Sequence, residues 1–161
     1  MWAKNKKNGF TIVELLIVVV VIAILASITI VSYNGIQSKS RFAKTRSDIA
    51  SLQKYIESYN VVNGSYPTTA GIWKYQRIDG NNFIPGLVPS IATSIPSVTN
   101  GSGANTTNNT YIYISNGADY KLHRLLQPTI PSDEWSQVPA SMKDSTWTDR
   151  WGVWSPGGAG F

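Results

Sequence analysis

A run of 22 residues, Phe10 to Val31, contains a single charged side chain, Glu14. At about 1.5 Å per helical residue such a run crosses a hydrocarbon core of ~30 Å, and it reads as a membrane helix. The chain has 161 residues, and its 42% hydrophobic content is concentrated in this one stretch. The remainder is polar, rich in Ser, Thr and Asn and punctuated by Gly and Pro, which leaves room for one small domain and excludes a multidomain enzyme. The sequence has no cysteine, so disulfide frameworks, cysteine-ligated zinc, iron–sulfur clusters and thiol catalysis are excluded together. A single histidine, His123, excludes a multi-histidine metal site.

Three fates are open to an apolar segment near an amino terminus: a cleaved secretory signal, a plain anchor, or a signal cut on the cytoplasmic side with the helix retained. A secretory signal has an apolar region of ~7–15 residues ending in small residues of the A-x-A type. Ala23 and Ala26 are three apart, and the apolar run continues through Ile28, Ile30 and Val31, so the fit is poor. Lys4, Lys6 and Lys7 precede the segment, while Lys39, Arg41, Lys44 and Arg46 follow it. Lys7 is three residues from Phe10 and Lys39 is eight beyond Val31, so proximity favours a cytoplasmic amino terminus. The leader lysines also supply three units of the +5 net charge, so the remainder is about neutral and the charge says little about partners, which makes nucleic acid an unexpected partner without excluding it.

Glu14 is the residue that separates the fates. A carboxylate inside a bilayer costs roughly 2.5–3.5 kcal/mol on insertion scales and is normally paired. No Lys, Arg or His lies between Phe10 and Ser38. A cut after Gly9 would create an α-amine on Phe10, four residues away, at the positive end of the helix dipole. The missing cation would then exist.

The residues Gly9-Phe10-Thr11-Ile12-Val13-Glu14, behind a short lysine-rich leader and ahead of a long apolar helix, resemble the processing site of type IV pilins and the pseudopilins of type II secretion. The resemblance implies cleavage after Gly9 by a prepilin peptidase and N-methylation of Phe10. It also gives Glu14 an assembly role in a helical filament of copies of the chain or related pilins, built on a membrane platform. It implies no enzyme activity and no cofactor. It extends over about residues 4–69, through Ser47 to Tyr55 and Asn63-Gly64-Ser65-Tyr66-Pro67-Thr68-Thr69. Phe83 to Pro89 and Ile95-Pro96 resemble that family's connection from helix to sheet. Many members carry a proline near the twenty-second mature position, where the helix can melt in the filament. Here that position is Val31, so melting would rest on Ser27, Thr29 and Gly35.

The fold expected is α+β: a long amino-terminal helix packed on a small antiparallel sheet, pilin-like. Past Val31 the pattern becomes amphipathic. Phe42, Ile49, Leu52, Ile56 and Tyr59 share one helical stripe, with Lys44, Arg46, Asp48, Lys54 and Glu57 mainly on other faces. Asn63-Gly64 predicts the helix end, so a helix from about Phe10 to Val62 would run about 80 Å, with Gly35 loosening it locally. The divisions expected are leader 1–9, membrane or filament-core helix 10–31, amphipathic helix 32–63 and head 64–161. In the head, an exposed Ser/Thr/Asn loop covers 97–110 and antiparallel strands lie within 111–155. Tyr111 to Ile114 and Tyr120 to Leu126 flank Asn116-Gly117 as a hairpin, Trp147 to Trp154 offers a third strand, and Pro156 to Gly160 reads as a flexible tail.

Candidate chemistry in the head is sparse. His123 alternates with Leu122 and is expected on the solvent side of its strand. Asp133-Glu134 reads as a solvated turn. Asn116, Asp119, Asp144 and Asp149 could offer oxygens to calcium, which some major pseudopilins bind in this half, yet no spaced acidic loop is present and none is assigned. Sequons at Asn63, Asn100, Asn105 and Asn108 predict exposure. Trp135, Trp147, Trp151 and Trp154 are expected in the core rather than on a ligand.

The function expected is therefore a structural subunit. It begins as a single-pass protein of the cytoplasmic membrane, in contact with lipid, and ends in an extracellular or periplasmic filament. A minor or tip pilin that binds a surface or takes up DNA is the alternative.

Overall fold

The computed structural model describes residues 10–98 and 108–161. The chain is α+β. Its elements run α1 (Ile12–Asn63), β1 (Lys74–Tyr75), α2 (Gln76–Asp79), β2 (Asn109–Ser115), β3 (Tyr120–Leu126), α3 (Ser132–Trp135) and β4 (Arg150–Trp154). Short 3-10 turns occupy Gly80–Phe83, Ala140–Met142 and Pro156–Gly160. Two compact units divide after Lys39.

α1 passes through Gly35 without a break. One glycine costs about 1 kcal/mol relative to alanine, too little to interrupt a ladder of hydrogen bonds on both sides. The helix ends where Gly64 takes φ +74° and donates its N–H to the Asn60 carbonyl at 2.8 Å, a left-handed cap that needs no Cβ.

In the second unit the apolar stripe of α1 is buried. Phe42, Ile49, Leu52 and Ile56 pack with Tyr111, Tyr113, Tyr120, Leu122 and Trp151 from one face of the sheet. Phe83, Ile84, Leu87 and Ile95 join the same cluster from the Pro-rich connection. The sheet has four antiparallel strands in the order β1-β2-β3-β4. Ser115 pairs with Tyr120 at the tip of the expected hairpin, and Asn116 Oδ1 accepts the Ala118 and Asp119 N–H groups across the turn.

Several expectations are corrected. Asp48 and Glu57 do not turn away from the head. Tyr111 donates to Asp48 at 2.8 Å, and Tyr120 and Tyr66 donate to the two oxygens of Glu57 at 2.9 and 3.2 Å. A tyrosine buried by its ring still needs a partner for its hydroxyl, and carboxylates at the margin of the stripe supply it. Burial first, and these carboxylates second, push the Tyr111 and Tyr120 hydroxyls up, so both remain donors.

The third strand is shorter than Trp147 to Trp154, and β1 adds a pairing that two residues could not announce. Asn109 and Thr110 belong to β2, with Thr110 fully buried, rather than to the exposed loop 97–110. Residues 99–107 of that loop, with the sequons at Asn100 and Asn105, lie outside the described residues. The tail is docked: Lys121 Nζ donates to the carbonyls of Ala159 and Phe161 at 3.2 and 3.0 Å, and Gly158 is buried. Of the four carboxy-terminal tryptophans only Trp151 is fully buried, 5.4 Å from the Phe42 ring. Trp135 is half-buried against the core, and Trp135, Trp147 and Trp154 sit under the cations of Lys143, Arg150 and Lys121.

Candidate functional site at the amino terminus

Gly9 lies outside the described residues, and Phe10 is exposed at the start of the chain that is described. Thr11 and Glu14 form a reciprocal cap on α1. Glu14 Oε2 accepts the Thr11 N–H and hydroxyl, both at 2.8 Å, and Thr11 Oγ1 accepts the Glu14 N–H at 3.2 Å. This is a capping box, and the pattern Thr11-Ile12-Val13-Glu14 was legible in the sequence as a Thr followed three residues later by Glu. Reading Glu14 only as an uncompensated charge overlooked Thr11.

From Ile12 to Thr29 the helix has mean hydropathy 3.0, with none of the window buried within the chain. Its other polar side chains satisfy themselves: Ser27 and Thr29 each donate to the carbonyl four residues back, at 2.7 Å. Glu14 is thus the one acid in the window, and among the described residues it draws its hydrogen bonds from Thr11 and not from a cation.

The other candidates are scattered over the head. Asp133 and Glu134 sit on α3, where Glu134 accepts from Trp151 Nε1 at 3.1 Å. Asp119 accepts from Ser155 Oγ and the Gly157 N–H, and Asp149 from Arg150 and Gln127. Asp144 accepts Lys121 Nζ at 3.0 Å and the Thr146 N–H at 2.9 Å. Among the described residues no group of three or more His, Asp or Glu side chains is arranged to hold a metal.

His123 is fully buried, which corrects its expected solvent position. The second face of the sheet is covered too. Trp73 stacks on the imidazole at 6.0 Å, Trp154 meets it edge-on at 5.9 Å, and Asp144 Oδ2 lies 3.8 Å from Nε2. Among the described residues neither ring nitrogen has a hydrogen-bond partner. Burial first, then the neighbouring Lys121 ammonium, holds its pKa down to about 3, with Arg150 acting the same way and Asp144 and Asp149 opposing.

The unfolded chain takes up this proton near pH 6.5 and the folded head does not, so stability is full above that pH and falls as the pH drops. By pH 5 the loss is about 2 kcal/mol. Burial pushes Asp144 and Asp149 up, but their hydrogen bonds and cations outweigh it and leave both below the usual carboxylate range. Their contribution is therefore lost only below about pH 4. Urea unfolding of the chain at pH 7 and pH 5 should show the His123 loss, and His123→Leu should abolish it. An unchanged loss in that variant would assign it elsewhere.

Comparison with known proteins converges on the amino terminus. Residues 4–30 match the family described as a prokaryotic N-terminal methylation motif, a span that includes Gly9, Phe10 and Glu14. The chain is 38% identical over 69 residues to type II secretion system core protein G of Escherichia coli (strain K12), covering 43% of this chain and 48% of that protein. It is 36% identical over 66 residues to the protein of the same name from Aeromonas hydrophila, covering 41% and 46%. For that of Vibrio cholerae serotype O1 the identity is 38% over 65 residues, covering 40% and 44%. The chain thus spans about half the length of the curated relatives it matches. No solved structure matches.

Proposed function

We propose that this chain, a member of the type IV pilin and pseudopilin family by its amino-terminal region, is a structural subunit that leaves the membrane to enter a helical filament. Residues 1–9 are its leader, 10–31 its membrane and filament-core helix, 32–63 the amphipathic continuation and 64–161 the head. A prepilin peptidase removes the leader after Gly9 and Phe10 is N-methylated. An assembly platform in the cytoplasmic membrane, with the amino terminus on the cytoplasmic side, passes the subunit to a periplasmic or extracellular filament. The subunit acts by packing rather than by catalysis.

The observation that carries this reading is the helix from Ile12 to Thr29, uncovered by the rest of the chain and holding one acid with no cation of its own. Lipid covers such a helix before assembly, and copies of the same helix cover it afterwards. Cleavage provides the cation, because a methylated α-amine remains protonated near neutral pH. Removal of Met1 to Gly9 takes the three leader lysines and lowers the formal side-chain charge from +5 to +2. A subunit entering at the wrong axial step would leave the carboxylate unpaired in an apolar core, so pairing between Glu14 and the Phe10 amine of a neighbour selects the register.

Amino-terminal mass spectrometry of the protein from its native host tests the processing. The expected peptide begins at N-methylated Phe10. Retention of Met1 would leave a plain anchor, and a start at or beyond Ala26 would mean a secreted protein without a filament helix.

A further inference from the structure

Lys39, Arg41, Lys44 and Arg46 fall within eight positions of α1, and the first acid after them is Asp48. All four are exposed. Lys44 is tied to Asp48 at 2.6 Å. The guanidinium groups of Arg41 and Arg46 have no hydrogen bond, ion pair or ring contact among the described residues. Neither the fold nor the assembly role proposed above uses them.

We propose that Arg41 and Arg46, with Lys44 between them in the sequence, form a basic collar that binds the headgroups of anionic phospholipid on the head side of the membrane. The inference rests on the reading of residues 10–31 as a membrane span. Arg41 follows Thr29, the last of the apolar window, by twelve positions in the sequence. The headgroup layer extends about 5–7 Å beyond the hydrocarbon core, and a long basic side chain reaches back toward it. Attraction between such a side chain and an anionic surface acts over a Debye length of about 8 Å at physiological salt.

Unpaired guanidinium groups suit phosphate oxygens, which they can meet in bidentate fashion. Zwitterionic lipid offers no net attraction. DNA would have to approach against the negative surface of the membrane itself, and among the described residues neither Arg41 nor Arg46 has a ring contact. Phe42, the aromatic residue between them, is buried in the core. The headgroups are already in place.

The test uses the full chain in nanodiscs of phosphatidylcholine alone or mixed with phosphatidylglycerol. Lys4, Lys6 and Lys7 are replaced by glutamine throughout, so that the leader does not contribute. Native mass spectrometry of the released protein counts the lipids retained. Phosphatidylglycerol should be enriched on the order of tenfold over its share of the mixture. Arg41→Gln/Arg46→Gln should bring it down to about that share, with an unchanged circular dichroism spectrum because these side chains are exposed. Equal enrichment in the two proteins, or none in either, overturns the collar. DNA bound by the chain in phosphatidylcholine discs without lipid preference would make nucleic acid the partner and also overturn it. A chain that does not enter nanodiscs overturns the membrane reading and the collar together, whereas insertion without lipid preference overturns the collar alone.

Discussion

Replacement of Glu14 by alanine is expected to abolish filaments while leaving the subunit in the membrane at undiminished levels. The two effects have opposite sign for one reason. In lipid the carboxylate is a cost of roughly 2.5–3.5 kcal/mol on insertion scales, so its removal eases insertion. In the filament proposed above it would pair with the Phe10 amine of its own or an adjacent subunit, and loss of the pair would leave a buried cation uncompensated. A deficit of even about 2–3 kcal/mol at each contact lowers subunit affinity roughly 30- to 150-fold and is repeated at every addition to the polymer.

Glu14→Gln separates two roles that alanine removes together. Its amide oxygen can still accept from the Thr11 N–H and hydroxyl, preserving the cap seen in the structure, but it carries no charge. Counting filaments by electron microscopy, alongside membrane fractionation, distinguishes them. Failure of both variants identifies the charge as the requirement. Assembly rescued by glutamine would shift the role to helix capping, and normal filaments with alanine would remove Glu14 from assembly altogether.

Gly152→Ala is expected to cost the head about 3 kcal/mol or more, against a total stability of about 5–15 kcal/mol for a domain. Glycine in a strand ordinarily weakens it, and alanine would be the better strand residue. Here Gly152 lies opposite His123 in the β3–β4 pairing. A Cβ would collide with the Leu122 carbonyl oxygen and would lie 2.8 Å from both Cα and Cδ2 of His123. The imidazole cannot retreat, because Trp73 and Trp154 hold it on its other sides.

The melting temperature of the chain in detergent, followed by near-ultraviolet circular dichroism of its tryptophans, should fall by about 10 °C or more. A change of only a degree or two would mean that β3 and β4 slide apart without cost. Gly35→Ala supplies the contrast. That site has nothing within 4 Å of a Cβ and lies inside α1, so the same substitution should slow amide exchange around it by stabilising the helix about 0.5–1 kcal/mol.

The amino-terminal half was legible in the sequence because its physics is local. Apolar length alone defines the segment from Phe10 to Val31, and the period of Phe42, Ile49, Leu52 and Ile56 identifies the stripe that is buried. Gly64 ends the helix through its own backbone freedom, and Thr11 caps it through a contact three residues long. The hairpin around Asn116-Gly117 was readable for the same reason.

What only the tertiary structure decided depends on residues far apart in the chain. Strand alternation puts His123 on the face opposite Leu122 but does not say what covers that face, which Trp73, Trp154 and Asp144 do from three separate segments. Asp48 and Glu57 look like solvent-facing charges until tyrosines 63 positions away, Tyr111 and Tyr120, bring hydroxyls to them. The tail looks free until Lys121, some 40 residues earlier, draws its carbonyls in. Asp48, Glu57 and Lys121 are polar groups that find partners, and His123 is a ring enclosed without one among the described residues; contacts of both kinds act through space after the chain has folded, so no periodicity or local motif records them.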